Sequence, residues 1–101
     1  MIEEVQICGV GGTGSFLALF LARDQQIKKL TIVDHDVVEY KNLERQFYGA
    51  SSVGKPKVEA LKDLLADINP KLTVIPYKMK IDDMSVRALD PNVLTIPATD
   101  N

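Results

Sequence analysis

A cluster of glycines near the start of the chain constrains its fold more than any other feature of the sequence. Gly9, Gly11 and Gly14 follow the pattern G-x-G-x-x-G and lie at the end of an apolar run at residues 5–10. An apolar run that stops at glycines is typical of a buried strand in a parallel sheet, and the apolar stretch at residues 16–24 predicts a buried helix after the turn. The glycines allow a tight turn and let the backbone at the helix N-terminus approach a phosphate group closely.

Strands and helices alternate along the rest of the chain. The pattern predicts an amphipathic helix at residues 57–68, a weak short helix at 82–89, and strands at 30–33, 72–77 and 93–96. This alternation indicates an α/β fold, half of a Rossmann-like three-layer domain with a mainly parallel sheet of about four strands in the order 3-2-1-4. That order brings the glycine turn, Asp34 and Asp100 to one edge of the sheet, where the carboxyl ends of the strands form a ligand crevice.

An acidic residue ends the second predicted strand. Asp34 lies twenty residues after Gly14, and a carboxylate at this position of a Rossmann fold accepts hydrogen bonds from a ribose hydroxyl. The alternative is that the glycines serve only helix–sheet packing and that Asp34 only caps a turn. The complete succession of strand, turn, helix, strand and acid favours a nucleotide ligand, but it leaves NAD and ATP as equal candidates.

Basic residues in and after the connection at residues 36–54 discriminate between these two nucleotides. Arg45 and Gln46 lie in this connection, and Lys55 and Lys57 stand at the start of the next predicted helix, where the helix dipole disfavours cations. A solvated basic turn is the alternative, and we expect Arg45 and Lys57 to be at least partly exposed. A triphosphate that reacts at its α-phosphorus needs cations, because negative charge must be stabilised on both the transferred and the leaving group. The cluster therefore favours ATP over NAD.

Composition and charge narrow the possible partners. The chain has 101 residues, enough for one domain, and its formal net charge of -2 gives no basic surface for nucleic acid or an anionic membrane. The single cysteine, Cys8, rules out an internal disulfide and a cysteine-only zinc site. The longest apolar stretch, at residues 16–22, is too short to span a bilayer, and the first residues lack the basic region of a signal peptide. We therefore expect a cytoplasmic protein without a nucleic-acid or membrane partner.

Five short segments resemble, in order and spacing, the ThiF/MoeB adenylyltransferases, the bacterial relatives of ubiquitin-activating enzymes. They are GGTGS at residues 11–15, DHD at 34–36, NLERQ at 42–46, GKPK at 54–57 and TDN at 99–101. Each segment is weak alone, but five in register make a specific signal that covers essentially the whole chain. The resemblance implies ATP-dependent adenylation of the C-terminal carboxylate of a ubiquitin-like or sulfur-carrier protein, with Mg²⁺ as the metal.

The resemblance also implies roles for individual residues. Asp34 would hold the ribose, Asn42, Arg45 and Lys57 would contact the phosphates, and Asp100 would place Mg²⁺ on them, since magnesium prefers a carboxylate together with phosphate oxygens. The carrier's carboxylate would attack the α-phosphate and give an acyl-adenylate and pyrophosphate, without an enzyme nucleophile. The implied catalytic residues are Arg45, Lys57 and Asp100, and the implied nucleotide-binding residues are Gly9, Gly11, Gly12, Gly14, Asp34, Asp36, Asn42, Arg45, Gln46 and Lys57.

Domains of this family are substantially longer and continue after the TDN segment with further strands and the surface that docks the carrier protein. We therefore expect residues 1–101 to form a single ATP-binding domain that is truncated at its C-terminus. A homodimer contact or a missing C-terminal segment would cover the unpaired edge after the fourth strand. A chain of this kind would bind nucleotide without completing adenylation. The alternatives are an NAD(P)-binding domain of an oxidoreductase and a non-catalytic nucleotide-binding module.

Overall fold

The computed structural model describes residues 2–42, 48–80 and 93–98. Strands and α-helices alternate in this part of the chain, as β1 (Glu4–Cys8), α1 (Gly12–Ala22), β2 (Lys29–Asp34), α2 (Lys57–Ile68), β3 (Thr73–Lys78) and β4 (Leu94–Pro97). Two short 3-10 turns, Tyr40–Asn42 and Ala50–Ser52, lie between β2 and α2. The predicted helix at residues 82–89 lies outside the described residues.

The strands form a parallel sheet in the order β3-β2-β1-β4, which confirms the prediction of a half Rossmann-like α/β domain. In the register of this sheet, Cys8 at the end of β1 lies opposite Val33 on β2 and Pro97 on β4. The glycine turn follows β1 directly, and Asp34 ends β2. The turn and the acid therefore lie at the same edge of the sheet, as the sequence predicts.

Both described helices cover one face of the sheet. They contact each other, and α1 packs on β1 while α2 packs on β2 and β3, as right-handed crossovers between successive parallel strands require. The largest fully buried side chains of this core are Ile7, Leu30, Ile32, Leu61 and Leu65. Burying a side chain of this size stabilises the fold by about 1.5–3 kcal/mol. This packing holds the turn after β1 and the end of β2 in a fixed relative position.

Helix α1 differs from its prediction in two ways. It begins at Gly12, because the last glycines of the motif already form its first turn, and the Ser15 N–H donates to the Gly11 carbonyl at 3.0 Å. The expectation that this helix is buried on nearly all sides is wrong, since Phe16 and Phe20 are 59% and 69% exposed. The 3.6-residue period turns these two phenylalanines away from the sheet. None of the described helices is long and apolar enough to cross a membrane.

Two prolines lie within strands, and both strands are the outer ones of the described sheet. Pro76 lies in β3 opposite Ile32, and Pro97 ends β4 opposite Cys8. A proline has no N–H to donate to a neighbouring strand, so it is tolerated at a sheet edge and disfavoured in a central strand. Both prolines therefore lie in strands that have a neighbour on only one side within the described sheet.

Candidate functional site

The glycine turn is built so that two of its positions accept no side chain. Gly9 has a φ of 104°, a conformation that residues with a Cβ rarely adopt. A Cβ added to Gly14 would lie 1.7 Å from the Gly9 carbonyl oxygen, because α1 packs directly against the end of β1. The interpretation of these glycines as packing residues therefore holds for Gly14. It does not exclude ligand binding, since the same close packing shapes the turn.

Within the described residues, no side chain caps the N-terminus of α1, and the first turn of the helix contains no acidic residue. The backbone N–H groups at a helix start lack partners within the helix and carry a partial positive charge, which favours an anion. The Ser15 hydroxyl does not serve as a further donor to such an anion, because it is buried and donates to the Gly11 carbonyl within the helix. The donors that this turn can offer to an anion are thus its backbone N–H groups and the hydroxyl of Thr13, which is exposed.

Asp34 connects the glycine turn to the segment after β2. One of its carboxylate oxygens accepts the Val10 N–H at 2.9 Å, and the other accepts the Asp36 N–H at 2.9 Å. The side chain is buried, with the residue 7% exposed. Asp34 therefore caps the turn after β2, and whether it does only this, as the sequence-based alternative holds, is not decided by these two hydrogen bonds. Each carboxylate oxygen can still accept a second hydrogen bond, and so the role of Asp34 in ribose binding stays a prediction.

Lys57 lies beside the end of β2 because the chain after β2 pairs with the segment before α2. Val37 and Pro56 form an antiparallel bridge, and the Lys57 N–H donates to the Asp36 carbonyl at 2.9 Å. This pairing draws the first turn of α2 against the site. The Lys57 ammonium lies 3.7 Å from a carboxylate oxygen of Asp36.

The burial of Lys57 corrects a sequence-based expectation. Its side chain is only 7% exposed, so the expectation that Lys57 is at least partly exposed is wrong. The bridge between Val37 and Pro56 places the start of α2 against the segment after β2, and no periodicity in the sequence signals such a bridge. Among the described residues the Asp36 carboxylate is the only partner of the Lys57 ammonium, at a distance longer than a hydrogen bond. Within the described residues, this buried cation therefore has donor capacity that its pairing with Asp36 does not use.

Lys55, the neighbouring basic residue, has a different environment. Its side chain is 54% exposed and lies 4.0 Å from Asp63 on the outer surface of α2. A pair of this kind contributes little to stability, because water screens both charges. The two lysines of the GKPK segment are thus distinct, one on the surface and one inside the site.

Tyr48 is a site residue that the sequence does not reveal. It is buried, with 4% of its surface exposed, and its hydroxyl donates to the Val10 carbonyl at 2.5 Å. Burial raises the pKa of Tyr48, and the negative charge of Asp34 raises it further, so the hydroxyl stays a donor at neutral pH. Its sequence signal is weak, because it is one of several aromatic residues that share no periodic stripe.

The structure describes the remaining predicted site residues only in part. The 3-10 turn Tyr40–Asn42 ends at Asn42, whose side chain is not described. Arg45, Gln46 and Asp100 lie outside the described residues. The proposed phosphate contacts of Arg45 and the proposed magnesium contact of Asp100 therefore stay predictions.

Asp34, His35 and Asp36 form a potential metal-ligand cluster, with one ligand atom of each within 4.8 Å of the others. The protein itself engages these acceptors, since Asp34 binds two backbone N–H groups and Asp36 lies beside both His35 and the Lys57 ammonium. A Mg²⁺ ion demands near-octahedral oxygen ligands and would compete with that ammonium for Asp36. The cluster thus does not replace Asp100 as the predicted magnesium ligand.

The fold and site together define a Rossmann-like α/β domain with a glycine turn, an acid and a buried lysine at the ligand edge of its sheet. The chain matches the ThiF family over residues 3–101, and it belongs to this family.

Comparisons with individual proteins agree with this assignment. The chain is 37% identical over 100 residues to the molybdopterin-synthase adenylyltransferase of Salmonella typhimurium, covering 97% of this chain and 40% of the relative. It is 40% identical over 82 residues to ubiquitin-like modifier-activating enzyme 5 of Caenorhabditis elegans, covering 81% of this chain and 19% of that enzyme. The crystal structure of the E. coli tRNA N6-threonylcarbamoyladenosine dehydratase TcdA in complex with ATP superposes with a TM-score of 0.89 at 28% identity, covering 98% of this chain and 42% of TcdA. The chain thus spans well under half the length of these relatives.

Proposed function

We propose that this chain is the nucleotide-binding part of an ATP-dependent adenylyltransferase that activates the C-terminal carboxylate of a ubiquitin-like or sulfur-carrier protein. The observation that carries the proposal is the buried Lys57 ammonium, which has spare donor capacity and connects to the glycine turn through Asp36, Asp34 and Val10. A buried cation is costly unless it is paired. A phosphate group at this position would supply the missing acceptors.

The available groups fit a nucleoside triphosphate. The uncapped N-terminus of α1 offers backbone donors to phosphate oxygens. Lys57 adds a buried cation beside Asp36, just after the end of β2, and Asp34 retains acceptor capacity for a ribose hydroxyl. Arg45 and Asn42 are proposed as further phosphate contacts and Gln46 as a donor in the same segment. In this proposal Asp100 holds Mg²⁺, which would neutralise phosphate charge.

The names of the relatives support both the reaction and the partner. One relative is an adenylyltransferase, one activates a ubiquitin-like modifier, and one solved structure contains ATP. In the proposed reaction, the carrier's carboxylate attacks the α-phosphorus of ATP and pyrophosphate leaves. The chain's own groups orient the triphosphate and stabilise charge on it, so positioning supplies the catalysis.

A second candidate function follows from the similarity to TcdA, whose substrate is a modified tRNA nucleoside. The net charge of -2 gives this part of the molecule no excess of cations for a tRNA backbone, so a carrier protein is the favoured partner. Calorimetry of the ATP-loaded chain with tRNA and with a carrier protein separates the two, because it measures partner binding and does not require the reaction to be completed. Binding of tRNA alone would favour the dehydratase class.

Association is also proposed. Phe16 and Phe20 expose large apolar surface on α1, and β3 and β4 are the outer strands of the described sheet. Exposed apolar surface of this kind is usually covered in a soluble protein, here by a second copy or by a further segment of the domain. We propose a cytoplasmic location, which suits a chain whose single cysteine is free and buried.

The test of the nucleotide is a comparison of ATP–Mg²⁺ with NAD on the wild-type chain. A ligand that binds only the folded state at about 100 times its Kd stabilises it by about 2.7 kcal/mol. We expect ATP to raise the melting temperature clearly more than NAD at equal concentration. An equal or larger shift with NAD would favour the oxidoreductase alternative, and no shift with either would favour a module that does not bind nucleotide.

A further inference from the structure

Val10, at the centre of the glycine turn, is held by two side chains from distant parts of the sequence. Its N–H donates to Asp34 at 2.9 Å, and its carbonyl accepts the Tyr48 hydroxyl at 2.5 Å. Both hydrogen bonds are buried. Asp34 ends β2, whereas Tyr48 belongs to the connection between β2 and α2. The backbone of the turn is therefore fixed from two sides.

The bond from Tyr48 determines the orientation of a potential ligand donor. The Val10 carbonyl and the Gly11 N–H belong to one planar peptide group, and in a trans peptide they point in opposite directions. Fixing the carbonyl on Tyr48 thus fixes the direction of the Gly11 N–H at the start of α1. Glycine backbone is otherwise free to rotate, since Gly11 and Gly12 have no side chains to restrict it.

We propose that Tyr48 is a positioning residue for the phosphate-binding turn, in which its hydroxyl aligns the Gly11 peptide for a nucleotide phosphate. The inference rests on the proposed nucleotide-binding function and adds a residue to that site. Tyr48 does not touch the ligand in this account. It acts through the Val10 carbonyl, which would have no donor if the hydroxyl were absent. An unfixed peptide would have to be ordered when the phosphate binds, and this lowers the affinity.

The experiment compares Tyr48→Phe with a matched control, Tyr40→Phe. Tyr40 is 73% exposed, so the control removes a hydroxyl from the surface. Affinities for ATP and for adenosine are measured by calorimetry on each protein. We expect Tyr48→Phe to weaken ATP binding by about tenfold or more, to leave adenosine binding close to wild type, and Tyr40→Phe to change neither. Equal losses for ATP and adenosine, or no loss for either, would overturn the proposal.

A second readout does not depend on ATP. In NMR spectra of the free protein, the Gly11 amide resonance should shift, and its hydrogen exchange should accelerate, in Tyr48→Phe but not in Tyr40→Phe. An unchanged Gly11 amide contradicts the alignment even if ATP binds normally. A wild-type chain that binds no ATP contradicts the proposed function instead, while a shifted Gly11 amide would still support the alignment.

The substitution leaves a buried carbonyl without its donor, so the variant could be destabilised. If Tyr48→Phe is unfolded in buffer, the measurements are repeated in trimethylamine N-oxide, which favours the folded state without supplying a donor to Val10. A variant that refolds there and loses ATP selectively supports the proposal. A variant that folds in neither condition shows a purely structural tyrosine and overturns it.

Discussion

Substituting Lys57 by methionine separates binding from folding at this site. Methionine retains an unbranched stem of similar length, so it fills the space of a side chain that is only 7% exposed. It removes the ammonium and its 3.7 Å pairing with Asp36. Because Asp36 is 53% exposed, water can solvate the carboxylate that loses its partner.

The structure predicts that Lys57→Met changes the free energy of unfolding little and weakens ATP binding strongly. Removing one partner of a fully buried ion pair costs about 3–5 kcal/mol, because it leaves an uncompensated buried charge. Here the remaining partner is half exposed, so the loss of the pair costs at most about 1 kcal/mol. We therefore expect the free energy of unfolding to change by no more than about 1 kcal/mol in either direction. A charge-assisted hydrogen bond to a phosphate is worth about 1.5–3 kcal/mol, so the Kd for ATP should rise by about 10- to 150-fold.

The matched control is Lys55→Met, because Lys55 belongs to the same segment but is exposed and faces Asp63. Urea unfolding gives the stability of each variant, and calorimetry gives its affinity for ATP. Lys55→Met should resemble wild type in both. If Lys57→Met loses several kcal/mol of stability while its ATP affinity stays intact, Lys57 is a structural residue and the reasoning from its unused donor capacity is wrong.

Three further predictions follow from the structure. Gly14→Ala should destabilise the fold by about 1–3 kcal/mol or more in urea unfolding, because the new Cβ would lie 1.7 Å from the Gly9 carbonyl oxygen. Gly49→Ala, where a Cβ meets no atom within 4 Å, should be neutral or stabilising by about 0.4–1 kcal/mol. Burial and then the charge of Asp34 raise the pKa of Tyr48 above the ordinary 10.0. Because the folded state then holds that proton more tightly than the unfolded state, the contribution of Tyr48 to stability is complete below pH 10.0 and is lost at higher pH. Tyr48→Phe should lack this part of the alkaline loss of stability. Light scattering at micromolar concentrations should show association of the wild-type chain. Charged substitutions at Phe16 and Phe20 should reduce this association if α1 forms the contact. A strictly monomeric wild type would contradict the proposed association.

Local patterns in the sequence predict the sheet well and the site less well. The strand order, the place of Asp34 and the stripe of α2 follow from short apolar runs, glycines and a 3.6-residue period. The sequence places the start of α1 too late, because glycines favour turns. In the structure the motif's last glycine is helical and packs closely against the end of β1. The exposure of Phe16 could not be predicted from a helix that is apolar on most sides.

The burial of Lys57 and the hydrogen bond of Tyr48 cannot be predicted from the sequence, for the same reason. Both arise from the connection between β2 and α2, whose pairing to Pro56 and to the Val10 carbonyl joins segments far apart in the sequence. Such contacts leave no period in the residues that make them. The sequence singles out this connection by its basic residues and its NLERQ segment, and neither feature indicates which of its side chains turn inward.

A residue of the glycine motif or the acid after β2 can be required by the fold whether or not it also binds the ligand. Gly14 is required by packing, and Asp34 is engaged by two backbone N–H groups whether or not a ribose is bound. Loss of ATP binding after substituting either residue would therefore not identify a ligand contact, because the turn itself would be disturbed. Lys57 differs, since no described group satisfies its ammonium fully. Substituting Lys57 is therefore the clearer test of a ligand contact, because the described part of the fold leaves some of its hydrogen-bonding capacity unused.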